Sequence, residues 1–325
     1  MIRPLAFLMP LYAAAAAAKN AAFDRGWAKP QQLGWPVVSI GNLSVGGSGK
    51  TPLVIRLAQL LKSENIPVDV LSRGYGRSNS AVERVDPGGD ASRYGDEPLL
   101  IARATQVPVY VGASRYEAGL LAERESARQG IHLLDDGFQH RKLARTMDIV
   151  VVHAGDFSES LLPAGRLREP LTSLRRASAI VLRAEDRHLE AELRKRGISA
   201  PVWIQHRRLA IEPLSGAIAF CGVAHPEEFF SELRSQNIDL AATLALRDHQ
   251  PYSPAQIDRL AALLRRHSAD SFVTTEKDAA RMTSGQRARI EAIAPLRVAR
   301  LEVTLEDESA ILRQFTGLIV RKLSK

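Results

Sequence analysis

Two apolar patterns alternate along the first two thirds of the chain. Short unbroken runs occur at 37–40 (VVSI), 67–71 (PVDVL), 107–111 (VPVYV), 131–134 (IHLL), 148–152 (DIVVV) and 179–182 (AIVL). Their length and β-branched content are those of strands buried on both faces. Between them the spacing changes to three and four. Val54, Leu57, Ala58 and Leu61 follow the first run, LLIARA follows Pro98, and a stretch through Glu117, Leu121 and Arg124 follows the third. That is the period of a helix with one face on a core. Strands alternating with helices predict an α/β fold, a mostly parallel, doubly wound sheet with helices on both faces.

The pattern restarts near Arg207-Arg208. Residues 216–222 (GAIAFCG), 240–246, 271–275 (SFVTT) and 296–305 (LRVARLEVTL) read as strands. Helices are expected from Pro226-Glu227-Glu228 and from Ser253-Pro254, which supplies an N-cap and a first-turn proline, and a final helix closes the chain. The expected organisation is therefore an N-terminal segment, 1–28, a first domain, 29–210, and a second, smaller α/β domain, 211–325.

The first strand leads into the most informative stretch, Gly46-Gly47-Ser48-Gly49-Lys50-Thr51-Pro52, directly before a helix. Glycines let backbone N–H groups close around phosphate oxygens, and the helix start adds partial positive charge. Lys50 is expected on the β/γ-phosphates and the Thr51 hydroxyl on Mg²⁺. Position 44, where the usual pattern carries its first glycine, is Ser44, so only the Gly-Gly-x-Gly-Lys-Thr core is met.

Other polar clusters follow strand ends, where open α/β sheets bind ligands. SRGYGR puts Arg73 and Arg77 after the second strand, either as an anion site or as a solvated turn. GDEP puts Asp96 and Glu97 at a helix start, a favourable place for acids, and Asp96 is also a candidate base for an attacking hydroxyl. Asp135 and Asp136 end an apolar strand, where phosphate-loop enzymes hold a second Mg²⁺ contact. A proline-bounded loop carries Arg166, Arg168 and Glu169. His249, past a strand of the second unit, could meet Asp96 in a site between the two. Lys277 and Asp278 are adjacent, not spaced by one residue as the guanine-specificity code requires, so GTP is not indicated.

Composition narrows the partners. Lys and Arg number 44 against 36 Asp and Glu, a net charge of +8 that suits an anionic partner. No basic run interleaved with aromatics appears, so nucleic acid is not expected. The single Cys221 excludes an intramolecular disulfide framework. Residues 5–18 (LAFLMPLYAAAAAA) carry no charge and are too few to span a bilayer, which takes about 20 apolar residues. A nucleotide site downstream argues against a signal peptide, which leaves a soluble core helix or an interfacial anchor.

Together GNLSVGGSGKTP, SRGYGR, GDEP, DDGFQH, LLPAGRLREP, FCGVAHPEEFF, DHQPYS and TTEKDA resemble the tetraacyldisaccharide 4′-kinase (lipid A 4′-kinase) family over nearly the whole chain. The resemblance implies a two-domain P-loop NTPase-like kinase at the cytoplasmic face of a Gram-negative inner membrane. It would move the γ-phosphoryl of ATP to the 4′-hydroxyl of a tetraacylated glucosamine disaccharide 1-phosphate. Lys50 would be catalytic, and Gly46, Gly47, Ser48, Gly49, Lys50 and Thr51 would bind the nucleotide. The resemblance implies Mg²⁺ on Thr51, Asp135, Asp136 and Glu169, and Asp96 as base assisted by His249. Arg73, Arg77, Glu97, Gln139, His140 and Arg168 would bind the acceptor. The N-terminal segment becomes a helix on the anionic inner-membrane surface, and the oligomeric state is left open, a monomer included. His225 before Pro226, Gln250 after His249 and the HAGDFSES segment depart from the family pattern, around the acceptor pocket. A membrane-recruited ATPase switch shares the glycine loop but needs neither an acceptor nor an Asp–His pair.

Overall fold

A computed structural model describes residues 7–47, 49–248, 250 and 252–323, the last six by backbone alone. Elements of the first half, in chain order, are α1 (Met9–Asp24), β1 (Val37–Asn42), α2 (Lys50–Ser63), β2 (Val68–Ser72), β3 (Glu83–Arg84), α3 (Ala91–Tyr94), α4 (Asp96–Thr105), β4 (Val109–Val111), α5 (Arg115–Glu125), β5 (Ile131–Asp135), β6 (Met147–Val151), β7 (Ala179–Arg183) and α6 (Leu189–Lys195). There follow β8 (Val202–Ala210), β9 (Ala217–Cys221), α7 (Pro226–Ser235), β10 (Leu240–Ala245), α8 (Pro254–Arg266), β11 (Ser271–Thr275), α9 (Glu276–Arg281), α10 (Ser284–Glu291), β12 (Leu296–Leu305) and α11 (Glu308–Leu323).

The strands form one sheet in the order β10-β9-β11-β12-β8-β7-β6-β1-β5-β2-β4-β3. Pairing is parallel except for β12 on β8 and β3 on β4. Every residue of β1, β2, β5 and β6 is buried, as a sheet covered on both faces requires. Helix α2 presents Leu53, Val54, Leu57, Ala58, Leu60 and Leu61 to that core.

The division expected at residue 210 is crossed twice. Strand β12 changes partners midway: residues from Leu296 to Ala299 pair with β11, and residues from Arg300 to Leu305 pair with β8. The last helix then returns to the first half, where Ile311 and Phe315 lie in the core with Leu57 and Leu61. Among the elements that escape the sequence pattern are β8 and α9. The polar Gln205, His206, Arg207 and Arg208 interrupt the strand signal of β8, yet both its edges are paired. Six-residue α9 is too short to show a period and is set by the Thr275 hydroxyl, which accepts from the Asp278 N–H.

Helix α1 is not a core helix, because none of its residues is buried. It is tied down by polar side chains. The Tyr12 hydroxyl donates to the Arg168 carbonyl (3.1 Å), Lys19 to the Gln139 carbonyl (3.0 Å), and Asn20 to Glu169 (2.6 Å). Phe7, Leu11 and Trp27 stay outside, each at least 70% exposed. No helix among the described residues is long and apolar enough to cross a membrane.

Strand β5 owes part of its setting to a buried ionic cluster. His132, fully buried, has Nδ1 at 2.8 and 3.0 Å from the Asp69 carboxylate and Nε2 at 3.3 Å from Glu123, and its ring stacks on Trp35. Burial opposes the charged ring, but the two carboxylates overcome it and raise its pKa from 6.5 to about 9. A folded-state pKa above the unfolded one gives stability that is whole below pH 6.5 and lost as pH rises through 9. The loss should be on the order of 3 kcal/mol. Denaturant titrations should therefore show a drop of about that size between pH 6 and 10 that is missing in His132→Gln. Parallel pH profiles for the two proteins would refute this.

Candidate active site

The site is built at the carboxyl end of β1. Gly46 and Gly49 hold left-handed backbone, with φ of 105° and 71°, and a Cβ on Gly46 would run into the Arg166 guanidinium. Gly49 is the N-cap of α2, so Lys50 and Thr51 open the helix with its free N–H groups beside them. The Lys50 ammonium donates to Asn42 Oδ1 at 2.7 Å and lies 3.3 Å from Asp136. Ser48 and His249 lie outside the described residues.

Asp135 ends β5, and Asp136 follows in a left-handed conformation. Their surroundings separate them. Arg168 donates to both oxygens of Asp136, at 2.8 and 2.9 Å, and also to Asn42. Burial works against an ionised Asp136, but Arg168 and Lys50 outweigh it and hold it below the usual carboxylate range. Asp135 goes the other way, pushed up to about 7 by burial, then by Glu97 and Asp136, with Lys50 opposing. The Ser72 hydroxyl donates to its Oδ2 at 3.1 Å, while Oδ1 is buried with no hydrogen-bond partner among the described residues. A buried carboxylate with one oxygen satisfied and one open is a suitable hard-cation ligand.

Gln139 donates to the Asn42 carbonyl at 3.0 Å. His140 is pushed down to about 4 by burial and by Arg115, Arg145 and Lys19, so its ring is neutral near pH 7. Buried Arg115, at the start of α5, lies within electrostatic reach of Arg73 and both aspartates. Arg77 keeps both terminal nitrogens shielded from solvent without a hydrogen-bond partner among the described residues.

Opposite the loop, Asp96 and Glu97 open α4 and face α9. Asp96 Oδ2 is 3.4 Å from Arg281 Nε, and Glu97 Oε1 is 3.5 Å from Lys277 Nζ, which is also 3.8 Å from Asp248. Between these groups lies a cavity of about 330 Å³. The glycine loop, Lys50, Thr51, Ile55, Glu97 and Leu100 line it from one side, and Arg207, Val223, His225, Phe229, Lys277 and Leu301 from the other.

Of the expected site residues, Gly46, Gly47, Gly49, Lys50, Thr51 and Glu97 line this cavity, Gln139 and Arg168 bond to Asn42, and Asp96 lies against Arg281. Glu169 does not join the aspartates. Its carboxylate, 4% exposed, pairs with Arg176 at 2.9 Å and accepts from Asn20, because an acid buried beneath α1 requires charge and donors of its own. No group of three or more His, Cys, Asp or Glu side chains among the described residues is arranged to hold a metal. Asn42, Arg115 and Arg281 were missed in the sequence. A fully buried Asn at the end of an apolar strand was the available signal for the first.

The family model described as Tetraacyldisaccharide-1-P 4'-kinase matches residues 1–319. A Koribacter versatilis protein named tetraacyldisaccharide 4'-kinase is 43% identical over 97% of this chain and 98% of its own. A Geobacter metallireducens protein of the same name is 38% identical over 86% and 88%. A crystal structure described as the "apo" form of LpxK from Aquifex aeolicus in complex with ATP is similar with a TM-score of 0.78. It shares 30% identity and covers 98% of this chain and 100% of its own.

Proposed function

Because the chain belongs to the tetraacyldisaccharide-1-P 4'-kinase family, we propose that it transfers the γ-phosphoryl of ATP to the 4′-hydroxyl of a tetraacylated glucosamine disaccharide 1-phosphate. The observation that carries this reading is the Lys50–Asn42–Asp136–Arg168 network at the glycine loop, facing a cavity that Glu97, the neighbour of Asp96 on α4, helps to line. The glycine loop and the start of α2 cradle the triphosphate, and Lys50 neutralises its terminal oxygens. Asn42 fixes Lys50, and Arg168 keeps Asp136 charged beside it. The apolar walls at Ile55, Leu100, Phe229 and Leu301 suit the nucleoside. Asp96 takes the proton of the attacking 4′-hydroxyl, with His249 from the second lobe assisting. Arg73, Arg77, Arg115, Gln139 and His140 meet the anionic sugar head group.

Mg²⁺ fits the donor chemistry, since the Asp135 carboxylate has an open oxygen and Thr51 stands at the head of α2. Thr51 and Asp135 would hold it, and when bound it would draw charge from the β- and γ-phosphate oxygens. Glu169 serves instead to anchor α1 through Asn20.

The acceptor also explains α1. Each buried CH₂ is worth about 0.8 kcal/mol, so a tetraacylated lipid does not leave its leaflet and the enzyme comes to it. Exposed Phe7, Leu11 and Trp27, with Arg25 and Lys29 nearby, suit an anionic inner-membrane surface at its cytoplasmic face. A switch-type ATPase needs no such acceptor.

The test is transfer of label from γ-³²P-ATP with and without the acylated disaccharide in anionic phospholipid vesicles. Label should enter the lipid, and ATP consumption should fall to background without it. Comparable ATP hydrolysis with no acceptor would make the ATPase reading the correct one.

A further inference from the structure

We propose that Arg281 is the positioning residue of the proposed base. It would tie Asp96 to the Gln250 carbonyl and hold that carboxylate beside Glu97, which lines the cavity. The inference rests on the reading of Asp96 as base and adds a residue that reading does not use.

The donors of Arg281 can be assigned nearly one by one. Nη2 donates to Asp278 Oδ1 at 2.7 Å and to the Gly222 carbonyl at 3.0 Å. Nη1 donates to the Gln250 carbonyl at 3.2 Å. Nε has no hydrogen-bond partner among the described residues, is shielded from solvent, and has the Asp96 carboxylate 3.4 Å away. The guanidinium side chain is 7% exposed and Asp96's is 13% exposed, so the pair is little screened.

Asp278 makes the anchor rigid. Fully buried, it accepts from the Tyr252 hydroxyl (2.8 Å), the Thr275 hydroxyl (2.7 Å) and the Gly222 N–H (3.0 Å) besides Arg281. Arg281 therefore leaves a fixed point on α9 and reaches three separate pieces of chain: the end of β9, the turn next to His249, and the first residue of α4. A guanidinium does this because its five N–H donors lie in one rigid fork, whereas an ammonium is a point charge on a flexible stem. Four residues earlier on α9, Lys277 makes the parallel contact to Glu97 and Asp248. Helix α9 thus presents two cations, one turn apart, to the two acids of GDEP.

Misplacing a reacting group by about 1 Å can cost 10²-fold in rate. Arg281→Gln is therefore expected to lower kcat about 10- to 100-fold, with KM for ATP changed by less than about twofold, since Arg281 does not line the cavity. The decisive comparison is with Asp96→Asn. If Arg281 acts through Asp96, the double variant should be about as slow as Asp96→Asn alone. A structural role would instead multiply the two losses. Arg281→Lys guards against a Gln variant that fails to fold. It keeps a cation for Asp278 but cannot reach Gln250, Gly222 and Asp96 together, so it should retain the wild-type Tm within a few degrees and still lose kcat. Wild-type turnover by a folded Arg281→Lys, or multiplicative losses in the double variant, would overturn the inference. If Asp96→Asn itself turns over normally, it is the assignment of the base that fails.

Discussion

Lys50→Ala should reduce kcat by about a thousandfold, roughly 4 kcal/mol of transition-state stabilisation. The ammonium is the group of the described site that stands at the head of α2 and in contact with the acidic strand end at once, 2.7 Å from Asn42 and 3.3 Å from Asp136. Charge on the transferred group is spread over its equatorial oxygens in a loose transition state, so a fixed cation there counts for more than it does with bound ATP. Both kcat and ATP affinity should fall, with kcat falling further. The fold should survive, because Asp136 keeps both hydrogen bonds from Arg168. Steady-state kinetics with the acylated disaccharide, alongside a melting curve, check each part. Turnover within tenfold of wild type would remove Lys50 from the phosphate site.

What the sequence made legible was whatever depends on neighbours along the chain. The unbroken apolar runs became β1, β2, β5 and β6 because a sheet covered on both faces buries every position, and polar members such as Asp69 and His132 are held there by pairing with one another. Glycines 46 and 49 were readable because a left-handed backbone strains any residue with a Cβ, which at 46 would also have to displace the Arg166 guanidinium. What depends on distant pairing was hidden. The β12 strand read as one alternating run, and the pattern held no sign that it would exchange β11 for β8 at Ala299. Glu169 sits next to Arg168 in sequence, yet the chain turns Arg168 toward Asp136 and Glu169 toward Arg176 and α1. The two side chains part at a bend in the chain, which a motif does not record.

The same limit explains Asp135 and Asp136. As letters they are equivalent, and one reading placed both on the metal. In the fold Arg168 and Lys50 contact Asp136, while Asp135 takes the Ser72 hydroxyl on one oxygen and has no hydrogen-bond partner among the described residues on the other. Two identical acids are thereby set in different environments, one paired with the protein's cations and one with the oxygen that would take Mg²⁺ on the reading proposed above.

Asp96→Asn should lower kcat by about 10²–10⁴ while leaving KM for ATP near its wild-type value. A sugar hydroxyl gives up its proton reluctantly near neutral pH, and the proton requires an acceptor within hydrogen-bond reach. In a loose transition state the new bond is little formed, so proton loss is late, and the lower half of that range is the sharper expectation. Asparagine keeps the shape of the side chain at the head of α4 and removes its charge, so the stability cost should be small, with Arg281 still held by Asp278 and two carbonyls. The contrast with Lys50→Ala identifies the two roles: the loop variant weakens ATP binding as well as turnover, and the Asp96 variant weakens turnover alone. Single-turnover phosphate transfer from prebound ATP measures that difference directly. An Asp96→Asn enzyme that transfers within tenfold of the wild-type rate would mean that another group, or water, takes the proton.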